Sequence, residues 1–205
     1  MRRLLDAPLP RGRDTVSEHE LVCLDMETNG LDAASVDMLS VGWVIVRNGQ
    51  VDVSSATRRL LNANSEVGDS ATVHGITDTD LTRGISLTDA LDQVVTALTG
   101  RILVVHHAGL DKAVLDRLCR VHYGCRLIVP VIDTLALAIA RSHRQHHLAS
   151  RQSLRLPDLR EHYGLPYYAA HDCLVDALAT AELLLAMLAH HGEGAATRMS
   201  TLMTA

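Results

Sequence analysis

Residues 21–32 read LVCLDMETNGLD, and the reading of this stretch decides the fold. Four apolar residues, Leu21 to Leu24, lead straight into Asp25 and Glu27, with Met26 between them. Side chains alternate across a strand, so Asp25 and Glu27 share one face and Met26 takes the other. Two carboxylates held that close repel one another unless a cation lies between them or one stays protonated. An all-oxygen donor set suits Mg²⁺ or Mn²⁺ rather than zinc. On the pair alone, a strand end that merely breaks the surface serves as well, because a D-x-E arises by chance about once in several hundred residues.

Working outward, β-like runs fall at 21–26, 38–46 and 51–60, and the Asn48-Gly49 turn signal between the last two predicts a hairpin. SLTDALDQVVTALTG (86–100) reads as a helix, with Ser86 able to cap it, Asp89 at the capping-box position and Gly100 closing it. A strand over 101–107, a helix over 110–122, a strand over 126–132 and a helix from Asp133 follow. Residues 142–153 read as an exposed loop. A short helix over 157–163 and a long one over 172–190 complete the pattern. Hairpin strands first and strand–helix alternation afterwards indicate an α/β domain with a mixed five-stranded sheet flanked by helices. Residues 1–19 are expected as a loose arm, 20–192 as the one domain and 193–205 as a tail.

Composition bounds the function. The 205 residues, 47% hydrophobic, suffice for one sizeable core. No run approaches the roughly 18 uninterrupted apolar residues of a membrane span, and MRRLLDAPLPRGR is too broken by Asp6 and Pro8 for a secretory signal. Cys23, Cys119, Cys125 and Cys173 are scattered, which fits reduced thiols in the cytoplasm. A net charge of −5 argues against gripping long nucleic acid by phosphate neutralisation alone. One Trp, four Tyr and no Phe argue against a long stacking platform. Nucleic acid would have to be held locally, by a metal centre or a small basic rim.

Two further segments carry acids. In RILVVHHAGLDKAVLDRL (101–118), Asp111 opens a helix, where a carboxylate is favoured by the helix dipole without any function. In AAHDCLVDALATAELLLAM (169–187), Asp176 lies inside a strongly apolar helix, a costly place for a carboxylate without a partner. His171 precedes it by five residues, about 500° of helical turn, so the two converge only if His171 lies on the preceding loop. Asp172 shares the face of Asp176, and an N-cap is its plain role.

The three segments together resemble the DEDDh 3′–5′ exonucleases of the ribonuclease H-like fold, the family of polymerase proofreading subunits, RNase T and oligoribonuclease. Asp25-Met26-Glu27-Thr28-Asn29-Gly30 is similar to the family's D-x-E-T-[TS]-G. His106-His107-Ala108-Gly109-Leu110-Asp111 resembles H-N-x-x-F-D, and His171 through Asp176 resembles H-x4-D before an Ala/Leu-rich helix. VHGIT (73–77) is similar to the family's H-G-I loop. The likeness runs over about 20–190, in order. Asn29, His107 and Leu110 depart from the pattern at positions that bear on how the terminal nucleotide is held.

The resemblance implies a metal-dependent 3′–5′ exonuclease over 20–192 that releases 5′ mononucleotides from single-stranded or short DNA or RNA. Asp25, Glu27, Asp111 and Asp176 would hold two divalent cations, Mg²⁺ or Mn²⁺, about 3.5–4 Å apart as in two-metal sites generally. His171 would take the proton of the attacking water. Thr28, Asn29, Gly30, His74, Gly75, Ile76 and His107 would line the terminal nucleotide's pocket. A homodimer is consistent with relatives of this kind. Few residues follow the last expected helix, so a polymerase-bound proofreader is expected less than an enzyme acting on its own on short or single-stranded ends, with polymerase association left open. An oligoribonuclease-like enzyme restricted to very short oligonucleotides is the alternative within the class. A non-cleaving binding module on the same fold is the alternative of a different class, and it predicts loss of an acid that this sequence retains. The His143, His146 and His147 group lacks a cysteine and zinc-type spacing, and the leucines of QSLRLP (152–157) are expected to pack a short helix.

Overall fold

Strand β1 (Leu21–Thr28) lies at the centre of a five-stranded sheet, order β3-β2-β1-β4-β5. The structure is a computed structural model that describes residues 10–62, 76, 81–144, 154–169, 171–190 and 194–203. On one side of β1, β2 (Met38–Arg47) and β3 (Gln50–Leu60) continue as an antiparallel meander. On the other, β4 (Ile102–Val105) and β5 (Val131–Asp133) run parallel to it. Asn48 and Gly49, at φ 52° and 72°, form the two-residue turn between β2 and β3. Two consecutive left-handed residues match the right-handed twist of a hairpin, which is why Asn-Gly signals one.

Among the described residues, five helices flank the sheet: α1 (Leu87–Leu98), α2 (Asp111–Tyr123), α3 (Thr134–Arg144), α4 (Leu156–His162) and α5 (Cys173–His190). The Ser86 hydroxyl accepts the Asp89 N–H at 3.0 Å and caps α1, as its sequence position implies. Period-2 alternation splits the sheet into two cores. Val22, Leu24 and Met26 join Val41 and Trp43 against Leu91 and Val94 of α1 and Val114 and Leu115 of α2. Leu21, Cys23, Val44 and Val46 face Leu183, Leu184 and Met187 of α5. Each fully buried Leu or Val contributes roughly 1.5–3 kcal/mol. Asp25 and Glu27 continue the row of Leu21 and Cys23, so they emerge on the α5 side. Helix α5 has the length and composition of a membrane span, but half of it is buried in this core.

Several boundaries differ from expectation, and β1 runs to Thr28 rather than stopping at 26. The strand expected over 126–132 is only Val131–Asp133. Leu127 is buried, yet its N–H goes to the Asp116 carboxylate at 2.9 Å rather than into a ladder, and Pro130 has no N–H to give. The strand expected over 101–107 is Ile102–Val105. Helix α3 runs to Arg144, into the segment expected to be loop from 142, and residues 145–153, with His146 and His147, lie outside the described residues.

The described parts of the expected arm and tail pair with each other. The Val16 N–H donates to the Thr197 carbonyl at 3.0 Å and the Met199 N–H to the Asp14 carbonyl at 2.8 Å. Val16, Met199 and Leu202 are buried in the α5-side core. All four cysteines are free thiols.

Candidate active site

The carboxyl ends of β1 and β4 lie side by side, the place where parallel sheets gather ligands. Asp25 and Glu27 come from the end of β1, and Asp111 opens α2 just beyond β4. Asp176 comes from the first turn of α5. One oxygen each of Asp25, Glu27 and Asp176 lies within 4.8 Å of the other two. Neighbouring oxygens on one octahedral Mg²⁺ stand about 3 Å apart, so the three carboxylates share a cation once their side chains draw in toward it. Asp111, 4% exposed, is not in that group of three, but its charge acts on Asp25.

The electrostatics are those of an unneutralised acid cluster. Burial pushes Asp25 well above the usual carboxylate range, with the charges of Asp111, Asp176 and Glu27 adding to it. Glu27 is pushed up to about 7, by burial first and then by Asp176 and Asp172, against the opposing charge of Arg58. Asp111 rises to about 8 through burial, with its own helix N–H opposing and Asp133 and Glu27 reinforcing. Burial also raises Asp176, against the His171 N–H and imidazole. The hard-oxygen donor set and the repulsion it stores both fit a divalent cation.

What brings α5 this close is a missing atom. Gly42 of β2 sits opposite Asp25, and a Cβ there would lie 2.5 Å from the Leu174 nitrogen and 2.6 Å from the Cys173 carbonyl carbon. The first turn of α5 rests on that bare backbone. Beside it the Ser40 hydroxyl, opposite Glu27, donates to the Cys173 sulfur at 3.2 Å. Asp172 takes the capping role: its Oδ1 accepts the N–H groups of Leu174 and Val175 at 3.0 and 3.2 Å. His171 lies on the preceding loop, exposed, with φ 70°. Its N–H donates to Asp176 Oδ2 at 2.9 Å, which ties that loop to the cluster.

The second loop is held from the far side. Asp133, at the end of β5, accepts the N–H of His107 at 3.0 Å and of Ala108 at 2.9 Å. It also accepts the Leu135 N–H at 2.9 Å at the start of α3. His107 has φ 86°. Among the described residues, it and His171 are the non-glycine positive-φ positions outside the hairpin turn, and both adjoin the acids. His106 turns away: its Nδ1 pairs with the Thr134 hydroxyl at 2.8 Å and its Nε2 with the Leu154 carbonyl at 3.2 Å.

Of the residues expected around a terminal nucleotide, Thr28, Asn29 and Gly30 follow Glu27 at the end of β1, and His107 lies on the loop that leads to Asp111. The Thr28 hydroxyl donates to the Gly30 carbonyl at 2.6 Å. Asn29 Oδ1 accepts the Asp37 N–H at 2.8 Å, closing the loop after β1, and Arg117 of α2 pins that loop by donating to the Ala33 and Val36 carbonyls. The Ile76 side chain is buried in a small cluster with Leu39 and Leu81. His74 and Gly75 lie outside the described residues. Sequence reasoning missed Gly42, Arg58 and Asp133. Only Gly42 carried a usable signal, since a glycine inside an apolar strand marks a close approach of backbone.

Comparison with known proteins gives the family and the fold. A profile of the RNase T exonuclease family matches residues 22–184. The PolC-type DNA polymerase III of Thermotoga maritima is 30% identical over 172 residues, covering 83% of this chain and 12% of that protein. The chain thus spans a small part of the curated relatives it matches. E. coli Exonuclease I in complex with a dA16 oligonucleotide superposes with a TM-score of 0.72 at 13% identity, covering 85% of this chain and 41% of the other. The nuclease domain of 3′hExo, a DEDDh family member bound to rAMP, gives 0.68 at 14% identity, covering 91% and 96%. The mixed sheet, the acids at its centre and the matched profile together make this chain a member of the RNase T exonuclease family, an exonuclease domain with the ribonuclease H-like fold.

Proposed function

We propose that the domain removes 5′ mononucleotides from the 3′ ends of single-stranded or short nucleic acid. The observation that carries this reading is the meeting of Asp25, Glu27 and Asp176 within 4.8 Å on the buried side of the sheet. With Asp111 they would hold two divalent ions, Mg²⁺ or Mn²⁺. Such ions lower the pKa of a bound water and neutralise charge developing on a phosphoryl group.

The chain's own groups do the rest. His171, exposed beside Asp176, accepts the proton of the attacking water, a task suited to an imidazole near neutral pH. Thr28, Asn29, Gly30 and His107 border the terminal nucleotide, and by the family resemblance His74, Gly75 and Ile76 would flank it. Asn29 and Ile76 spend their side chains on the loop and the core. The complex of Exonuclease I with an oligonucleotide supports a single-stranded substrate.

End-labelled DNA and RNA oligomers incubated with Mn²⁺, Mg²⁺ or EDTA, beside Asp25→Asn, test this. Metal-dependent mononucleotide release from 3′ ends that Asp25→Asn abolishes is the expected result, and binding without cleavage sinks the reading. The PolC-type relative favours a second element, association with a replicative polymerase, checked by co-purification with the polymerase of the source cell.

A further inference from the structure

Arg58 differs from the other cations around the acids. In the β2–β3 ladder it pairs with Gly42, as Gly42 pairs with Asp25 in the β1–β2 ladder. Residues directly opposite one another share a sheet face, so all three point to the side that α5 covers. Neighbouring strands lie about 4.8 Å apart, which sets the Arg58 backbone about 10 Å from that of Asp25. The first turn of α5 sits over the gap that Gly42 leaves between them. From there the guanidinium reaches Asp172 at 3.3 Å, and its charge opposes the upward shift of Glu27.

The rival cation is Arg160, whose charge reaches Asp176. Arg160 is buried, and its guanidinium is taken by the Ala179 and Pro166 carbonyls and by Glu182. The Arg58 side chain is 39% exposed, and its ion-pair partner among the described residues is Asp172. The α5 cap does not need that partner, because Asp172 already accepts two helix N–H groups. A surface pair of this kind contributes about 0–1 kcal/mol. In a chain of net charge −5, a permanent, accessible cation beside the acid cluster is where a phosphate fits.

We propose that Arg58 is a substrate-binding residue whose guanidinium takes the phosphate next inward from the scissile one. The inward phosphate follows from position: Asp172, which Arg58 touches, is outside the group of three acids that would surround the reacting phosphate. The inference rests on the exonuclease reading above and names the side of the site along which the strand continues.

The test compares wild type, Arg58→Gln and Arg58→Lys, with Mn²⁺, on two substrates. One is a short single-stranded oligothymidylate. The other is thymidine 5′-(p-nitrophenyl phosphate), which carries a reacting phosphodiester and no second phosphate. Arg58→Gln is expected to raise KM for the oligonucleotide about tenfold with little change in kcat, and to leave the nitrophenyl ester kinetics within about twofold. Its log(kcat/KM) should fall with log[salt] by about 0.7 less than wild type, one single-strand phosphate contact. Arg58→Lys keeps the charge without the fork and should give an intermediate KM, so it carries the comparison if the Gln variant melts early in EDTA. Equal losses on both substrates, or an unchanged oligonucleotide KM and salt slope, overturn the proposal. If wild type hydrolyses neither substrate, the exonuclease reading falls with it. If wild type hydrolyses both and the variants do not separate them, only the role of Arg58 falls.

Discussion

The Cβ that Gly42 lacks would stand 2.5 Å from the Leu174 nitrogen, so Gly42→Ala forces α5 away from the strand that carries Asp25. Overpacking of this sort costs roughly 1–3 kcal/mol. The larger consequence is catalytic, because Asp176 rides on the displaced turn, and a 1 Å misplacement costs on the order of 100-fold in rate. Melting in EDTA and kcat on the same preparation check both, and a variant that melts early but keeps full kcat would refute the positioning role. Asp25→Asn separates activity from stability in the opposite direction. Losing about 4 kcal/mol of cation-mediated charge stabilisation removes about 10³-fold in rate. Removing one of several crowded, buried charges relieves the metal-free fold, and about 1 kcal/mol of relief raises Tm by about 2–4 °C for a chain of this size. A metal-free Asp25→Asn that melts no higher than wild type near pH 8 counts against the stored repulsion. At this scale the acids and His171 were legible in the sequence, since chemistry-bearing residues stand out one by one. Asn29 was not: its side chain serves Asp37, eight positions on, and nothing in its neighbours announces that contact.

Among the elements, the loop between β4 and α2 shows what holds a ligand in place. Asp133 belongs to the next strand, yet its carboxylate accepts the N–H groups of His107 and Ala108 and so fixes the left-handed turn before Asp111. Asp133→Asn keeps one acceptor oxygen and replaces the other by a donor facing an N–H. Supporting contacts of this kind typically govern metal affinity by 10–100-fold. A Mn²⁺ titration followed by Tm should therefore show a weaker midpoint for Asp133→Asn, with saturating Mn²⁺ restoring most activity. An unchanged midpoint would assign Asp133 to the start of α3 alone, through the Leu135 N–H. The helices and the β2–β3 hairpin were legible because capping, periodicity and Asn-Gly turn chemistry are local. The short β5 was not, because the fate of the Leu127 N–H depends on Asp116, eleven residues earlier and on another element. Pairing between residues 10–19 and 194–203 was hidden for the same reason: both segments are short and aperiodic, and their meeting accompanies the burial of Val16 and Met199.

Across the whole molecule, the site opposes the fold until a cation arrives. Raised carboxylate pKa values make the folded, metal-free protein hold protons that the unfolded chain has already released. Stability from this source is full below the ordinary carboxylate range and is lost as pH rises through the folded values, about 7 for Glu27 and about 8 for Asp111. The groups with lowered values, such as Glu20 and Asp116, act only at acid pH, and His106, held below its ordinary value by burial, acts below about 6.5. Between pH 6.5 and 8.5 the slope is set by the acid cluster, joined toward the upper end by the thiols of Cys23, Cys119 and Cys173, which burial pushes up. In EDTA, Tm should fall across that window. With Mn²⁺ at a hundred times its Kd, binding adds about 2.7 kcal/mol, and because the ligands bind metal only when deprotonated, the gain grows with pH. The two Tm profiles should diverge toward pH 8.5, with Asp25→Asn flattening the EDTA curve and removing most of the metal gain. Parallel profiles in EDTA and Mn²⁺ would show that the acids neither repel one another in the folded protein nor bind the ion together.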